Sequence, residues 1–186
     1  MSFVTEPPAF EAPADAEARM LRATAEIARI LGDGRPLEDA LSRCAQALAD
    51  DLDLSFARIW TCDANGALEP AGCASTGDVV PWTGDGDRAL QRVVAHRRSY
   101  WAPNLRDALS EPALPWMREA GMVSFALYPL VLGARVYGAL AVAARRAAGT
   151  RLLCGLQSAA WILALGVASA RAREESVPAL RVANGG

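Results

Sequence analysis

The sequence predicts an α+β fold: a mainly antiparallel sheet with helices at both chain ends. Three observations carry that expectation. Residues 123–131 and 136–144 are each of strand length, rich in Val, Leu, Ala and aromatics, and separated by Leu132-Gly133-Ala134-Arg135, where Gly133 can take a positive φ. A second strand pair is written as SFARIWTCD, residues 55–63, then the turn signal Asp63-Ala64-Asn65-Gly66, then 67–76. Apolar stripes at helical spacing mark both ends: Ala16, Met20, Ala23, Ile27 and Ile30, and then Leu152, Leu156, Ala159, Leu163, Gly166 and Ala170. Tight hairpins make antiparallel neighbours, and striped helices need a sheet to cover.

The remaining elements follow in order. Residues 1–13 read as a flexible leader, because Pro7, Pro8 and Pro13 oppose helix. Helix is expected over 15–31, ended by Gly32-Asp33-Gly34, and again from Pro36 to about Asp50, with Leu37, Leu41, Cys44 and Leu48 on one face. Residues 77–86 form a glycine-rich loop around Trp82, and 87–96 a helix with Leu90, Val93 and Val94 inward. Residues 99–103 are a short strand, 104–115 a loop, and 115–120 a short helix ended by Gly121. Thr150 is placed to cap a long helix over 151–174, and a polar tail, 176–186, is expected to be disordered. One domain, 14–175, accounts for the whole pattern.

Composition narrows the function classes. Apolar residues make up 52% and charged residues 22%, which is globular rather than disordered. The net charge is −2 with no basic block, so there is no electrostatic case for nucleic acid. All 19 cations are arginines; without lysine, Schiff-base and lysine general-base chemistry are excluded. No signal peptide and no uninterrupted run of about 18 apolar residues is read, so a cytoplasmic protein that does not span a membrane is expected. Cys44, Cys62, Cys73 and Cys154 are dispersed and form no C-x-x-C pair, and His96 is the single histidine. That composition gives no metal site, no cofactor and no catalytic dyad, and implies reduced thiols. His96, Arg97 and Arg98 read as a solvated helix end, of which an anionic ligand could use one arginine.

The 123–144 hairpin has two unlike faces. If Val131 opposes Val136 and the period of two holds, Phe125, Leu127, Pro129, Gly138, Leu140 and Val142 share a bulky face suited to helices. Ser124, Ala126, Tyr128, Leu130, Tyr137, Ala139, Ala141 and Ala143 share the other, whose small residues suit either a close-packed helix or a cavity. Pro129 lacks an N–H and argues for a bulge or an unpaired position.

Residues 57–63 (ARIWTCD), 95–105 (AHRRSYWAPNL) and 116–146 (WMREAGMVSFALYPLVLGARVYGALAVAARR), with Gly121, Ser124, Pro129-Leu130, Gly133 and Gly138, together resemble a GAF domain, a PAS-like sensor module of the type attached to bacterial sensor kinases. The resemblance runs from about Arg35 to Glu174. It implies a sheet of five or six strands, the terminal helices on one face, and loops and short helices over a pocket on the other. It also implies signal transduction in a two-component system, a homodimer through the terminal helices, and a histidine kinase or other output protein as partner. The ligand-binding candidates are then Trp82, Trp101 and Trp116 in the covering segments, with Ser124, Tyr128 and Tyr137 as polar handles for a small molecule of unknown identity. The cysteine-histidine pair of bilin-binding members and the full cyclic-nucleotide motif are missing. A ligand-free dimerisation scaffold is the second expectation, and a free methionine sulfoxide reductase, which needs clustered cysteines, a distant third.

Overall fold

The computed structural model describes residues 13–63, 65–76, 87–105, 117 and 119–183. The elements are α1 Pro13–Gly32, α2 Leu37–Leu52, β1 Phe56–Cys62, β2 Leu68–Ser75, α3 Asp87–His96, β3 Tyr100–Ala102, β4 Ser124–Leu132, β5 Arg135–Ala144 and α4 Thr150–Ala183. The strands form one five-stranded sheet in the order β2-β1-β5-β4-β3, and every neighbouring pair is antiparallel. The expected leader falls almost wholly outside the described residues, as do the loop around Trp82 and half of the expected short helix, 115–120. The segment expected as a disordered tail is helical as far as Ala183.

The β1–β2 turn shows why that signal was readable. The Asp63 carboxylate accepts from the N–H of Asn65 at 2.8 Å and of Ala67 at 2.7 Å, and Gly66 takes φ +84. The side chain thus satisfies turn N–H groups that the ladder leaves over.

Helices α1, α2 and α4 cover one sheet face. Ile27, Leu41, Leu48, Ile59, Leu140, Leu156 and Leu163 are all buried in this core. Helices α1 and α4 run parallel: Arg151 pairs with Glu17 at 2.7 Å, Met20 lies against Gly155, and Leu31 lies against Gly166, at one recurring offset. A Cβ at Gly166 would stand 2.6 Å from Leu31 side-chain atoms. The space beside Gly166 of the α4 stripe is therefore taken by α1 of the same chain.

The second core, on the opposite face, joins Phe56, Trp60, Phe125, Leu127, Ala139, Ala141 and Ala143 to α3 and to Leu105, Met117 and Met122. This placement corrects the expected facing of β4. Val131 does oppose Val136, but Leu130 opposes Gly138, so Tyr137 is an extra residue bulged out of β5. One inserted residue reverses the relation between the two strands beyond it. Leu140 and Val142 meet the helices and the alanines face away, as expected. Ser124, Ala126, Tyr128 and Leu130 instead face the helices with them, and Phe125 and Leu127 join the alanines.

The bulge sits where two backbones nearly touch. A Cβ at Gly138, which has φ +157, would lie 1.9 Å from the Trp60 carbonyl oxygen. Gly133, in the turn with φ +60, has nothing within 4 Å of the same position. Gly138→Ala is therefore expected to destabilise by more than the roughly 3 kcal/mol upper end of ordinary overpacking, and Gly133→Ala by only the ~1–2 kcal/mol of a left-handed L-residue. Urea unfolding of both variants checks this; equal midpoints would contradict the close approach.

Candidate functional site

The face turned away from the terminal helices is the first place to look for a pocket. Ala139, Ala141 and Ala143 are buried there beneath Leu90, Val93, Leu105 and Met117. Side chains thus fill the space over the small residues of β5 within the described part of the chain. An open groove of about 470 Å³ lies at the margin, between α3 and the start of β3. Ala89 and Val93 give it an apolar floor, Tyr100 a ring, and Arg92 and Arg98 a cationic rim, with His96 and Ser99 also on its wall.

The expected ligand handles lie elsewhere. Tyr128 is fully buried on the helix side, and its hydroxyl donates to the Leu153 carbonyl of α4 at 2.8 Å. Burial pushes its phenol above the usual tyrosine range. Ser124 is buried on the same side, beside Ala148, Leu152 and Leu156. Tyr137 packs against the helix core with the guanidinium of Arg135 5.1 Å from its ring centroid and that of Arg171 at 5.9 Å. Arg171 also donates to the Cys62 carbonyl, so α4 is tied to the far end of the sheet. Trp101 is 40% exposed on the edge strand, its ring centroid 6.3 Å from that of Tyr128. These four do not converge on the groove. Trp82 and Trp116 lie outside the described residues.

Sequence reasoning left out Ser99 and Gln157. Ser99 Oγ donates to Gln157 Oε1 at 2.7 Å, joining the groove wall to α4. No local pattern marks such a pair across 58 residues of chain. The outer face of α4 is apolar as well: residues 152–170 contain no charge. Trp161 is 58% and Leu165 54% exposed on that face, and Leu21 of α1 is 73% exposed. Thr150–Glu174 is long and apolar enough by composition to cross a membrane; its inner side packs in the sheet core.

The four cysteines are free and spread over the fold. Burial pushes the Cys44 thiol up to about 12, and raises Cys62 as well. Cys73 and Cys154 are exposed, one on β2 and one on α4.

A family model described as "GAF domain" matches residues 36–163. The chain belongs to the GAF domain family. Solved GAF domains share its fold: that of a phosphoenolpyruvate-protein phosphotransferase from Coxiella burnetii is 17% identical, covering 85% of this chain and 98% of that one, with a TM-score of 0.65. The A. aeolicus nlh2 GAF domain is 15% identical over 81% and 96% of the two chains, with a TM-score of 0.66. A free methionine-R-sulfoxide reductase from Neisseria meningitidis, solved with its substrate, is 15% identical over 88% and 96%, with a TM-score of 0.67. No curated protein matches the sequence.

Two measurements check this GAF site. At pH 8, Cys73 and Cys154 should react with a thiol reagent in the native protein, and Cys44 and Cys62 only on unfolding; fast labelling of Cys44 would contradict its burial. The neutral Cys44 thiol favours the fold below its ordinary value of 9.0, and that contribution drains away as pH rises toward about 12. Tyr128→Phe should cost about 1 kcal/mol, the usual net worth of one hydrogen bond, in thermal unfolding, while leaving the groove unchanged.

Proposed function

We propose that this GAF domain is a non-catalytic sensory or regulatory module, working as a homodimer through α1 and α4. The observation that carries the reading is the uncharged outer face of α4, with Trp161 and Leu165 more than half exposed, together with the still more exposed Leu21 of α1. Apolar residues this large, aligned at helical spacing, favour a covered state. A second copy fits the size: parallel helices of about 20 residues run about 30 Å, offering on the order of 700 Å² a side, near the roughly 800 Å² per partner of a stable pair.

The groove beside α3 supports the sensing half of the proposal, since its volume is in the range that holds a small molecule. A ligand there would bias the arrangement of the terminal helices, which pass the change to a histidine kinase or other output protein in the bacterial cytoplasm. A ligand-free dimerisation scaffold is the second reading, favoured by the closed packing over Ala139 and Ala141.

Light scattering at tens of micromolar tests the dimer. Wild type should show twice the chain mass, and Trp161→Glu with Leu165→Glu should show the monomer mass at unchanged helicity. A monomeric wild type would remove the proposal. Native mass spectrometry of freshly purified protein separates the two readings: a retained small molecule supports sensing, and a bare dimer supports the scaffold.

A further inference from the structure

Helix α3 ends in an unusual way. Arg97 holds φ +54, a conformation that helix C-termini usually give to glycine. Its N–H donates to the Val94 carbonyl and the N–H of Arg98 to the Val93 carbonyl, which closes the helix end. This tight reversal sets Arg98 and Ser99 on the groove wall, across from Ala89 and Val93, and leads Tyr100 into the edge strand. The pull of a helix C-terminus on cations accounts for one or two basic side chains here. It does not account for an apolar floor between them, or for a serine on that wall joined to α4.

The groove therefore has a definite complement. Its described lining holds the guanidiniums of Arg92 and Arg98 and no carboxylate, so the charge selects an anion. The floor of Ala89, Val93 and the Tyr100 ring selects an apolar body, and the volume limits that body to a small acyl or aryl group. Arg offers a planar fork that matches a carboxylate.

We propose that the groove binds a small carboxylate with an apolar body, its charged end at Arg98, and that the Ser99–Gln157 hydrogen bond carries occupancy to α4. The proposal rests on reading the domain as a sensor, and gives that sensor a ligand class and a route. A serine hydroxyl has one proton. In the structure that proton is directed to Gln157 Oε1. A carboxylate beside Ser99 is the stronger acceptor, because a charge-assisted bond exceeds a neutral one. The hydroxyl turns to the ligand, Gln157 loses its donor, and the turn of α4 that leads to Trp161 is loosened.

The test titrates hexanoate and 4-phenylbutyrate into the full chain by calorimetry, with hexanamide and 4-phenylbutanamide as neutral counterparts and inorganic phosphate as an anion without an apolar body. The carboxylates should bind at least tenfold more tightly than the amides or phosphate, and Arg98→Ala should weaken them at least tenfold. Equal affinity for acid and amide, tighter binding of phosphate, an unaffected Arg98→Ala, or no binding by either carboxylate overturns the ligand class. For the route, hydrogen exchange in residues 152–165 should change at least twofold on adding 4-phenylbutyrate to wild type. Ser99→Ala, which also loses its own bond to the carboxylate, should weaken binding less than Arg98→Ala does and, at saturating 4-phenylbutyrate, lose that change; a wild-type response in saturated Ser99→Ala overturns the route. Light scattering on the same samples keeps the two levels apart. A dimer that binds no probe removes the ligand class alone, whereas a monomeric wild type removes the functional reading beneath it.

Discussion

The approach of Gly138 to the Trp60 carbonyl oxygen governs how the rest of the domain faces. Any side chain at that position would collide with backbone, so β5 can lie this close to β1 only as glycine. Tyr137, beside it, is bulged out of the ladder and lies against α4 between Arg135 and Arg171. Past the bulge the β4 residues that meet the helices are the even-numbered ones, and Tyr128 reaches Leu153 as a consequence. The sheet thereby receives one well-filled helical layer, and its opposite face is left to α3 and the segments that follow.

Most of the fold could be read from local signals. Turn chemistry placed both hairpins, because Asp63 and Gly66 act within a few residues of themselves. Helical stripes placed α1, α2 and α4, because burial follows the 3.6-residue period. The facing of β4 was not legible, although Pro129 hinted at a bulge. A single inserted residue changes no composition and no period over a window long enough to notice, yet it exchanges every side chain beyond it. The left-handed Arg97 was hidden for a related reason: the residue that usually announces such a helix end is glycine, and none is present.

The candidate site was legible only in its ingredients. Arg98 could be named as a cation that an anion might use, but its neighbours on the groove wall come from the end of α3 and the start of β3, whose spatial relation depends on the reversal at Arg97. The Ser99–Gln157 bond depends on α4 crossing the sheet beside its edge strand, which no sequence window contains. Conversely, the tyrosines and serine that looked like ligand handles serve the core: Tyr128 fastens β4 to α4, and Ser124 lies beneath the first turns of that helix. On the proposed reading the regulated element is α4 itself. One side of it completes the core, another faces the groove through Gln157, and its outer side offers Trp161 and Leu165 to a second copy.

The measurement that bears most directly on this account is the proton neighbourhood of the Tyr128 ring in solution. Nuclear Overhauser contacts from that ring to the methyl groups of Leu153 and Leu156 are expected, as the bulge beside Gly138 requires. Contacts to Leu90 and Val93 of α3 in their place would mean that β4 faces the other way, and the arrangement of core, groove and output helix derived from it would fail.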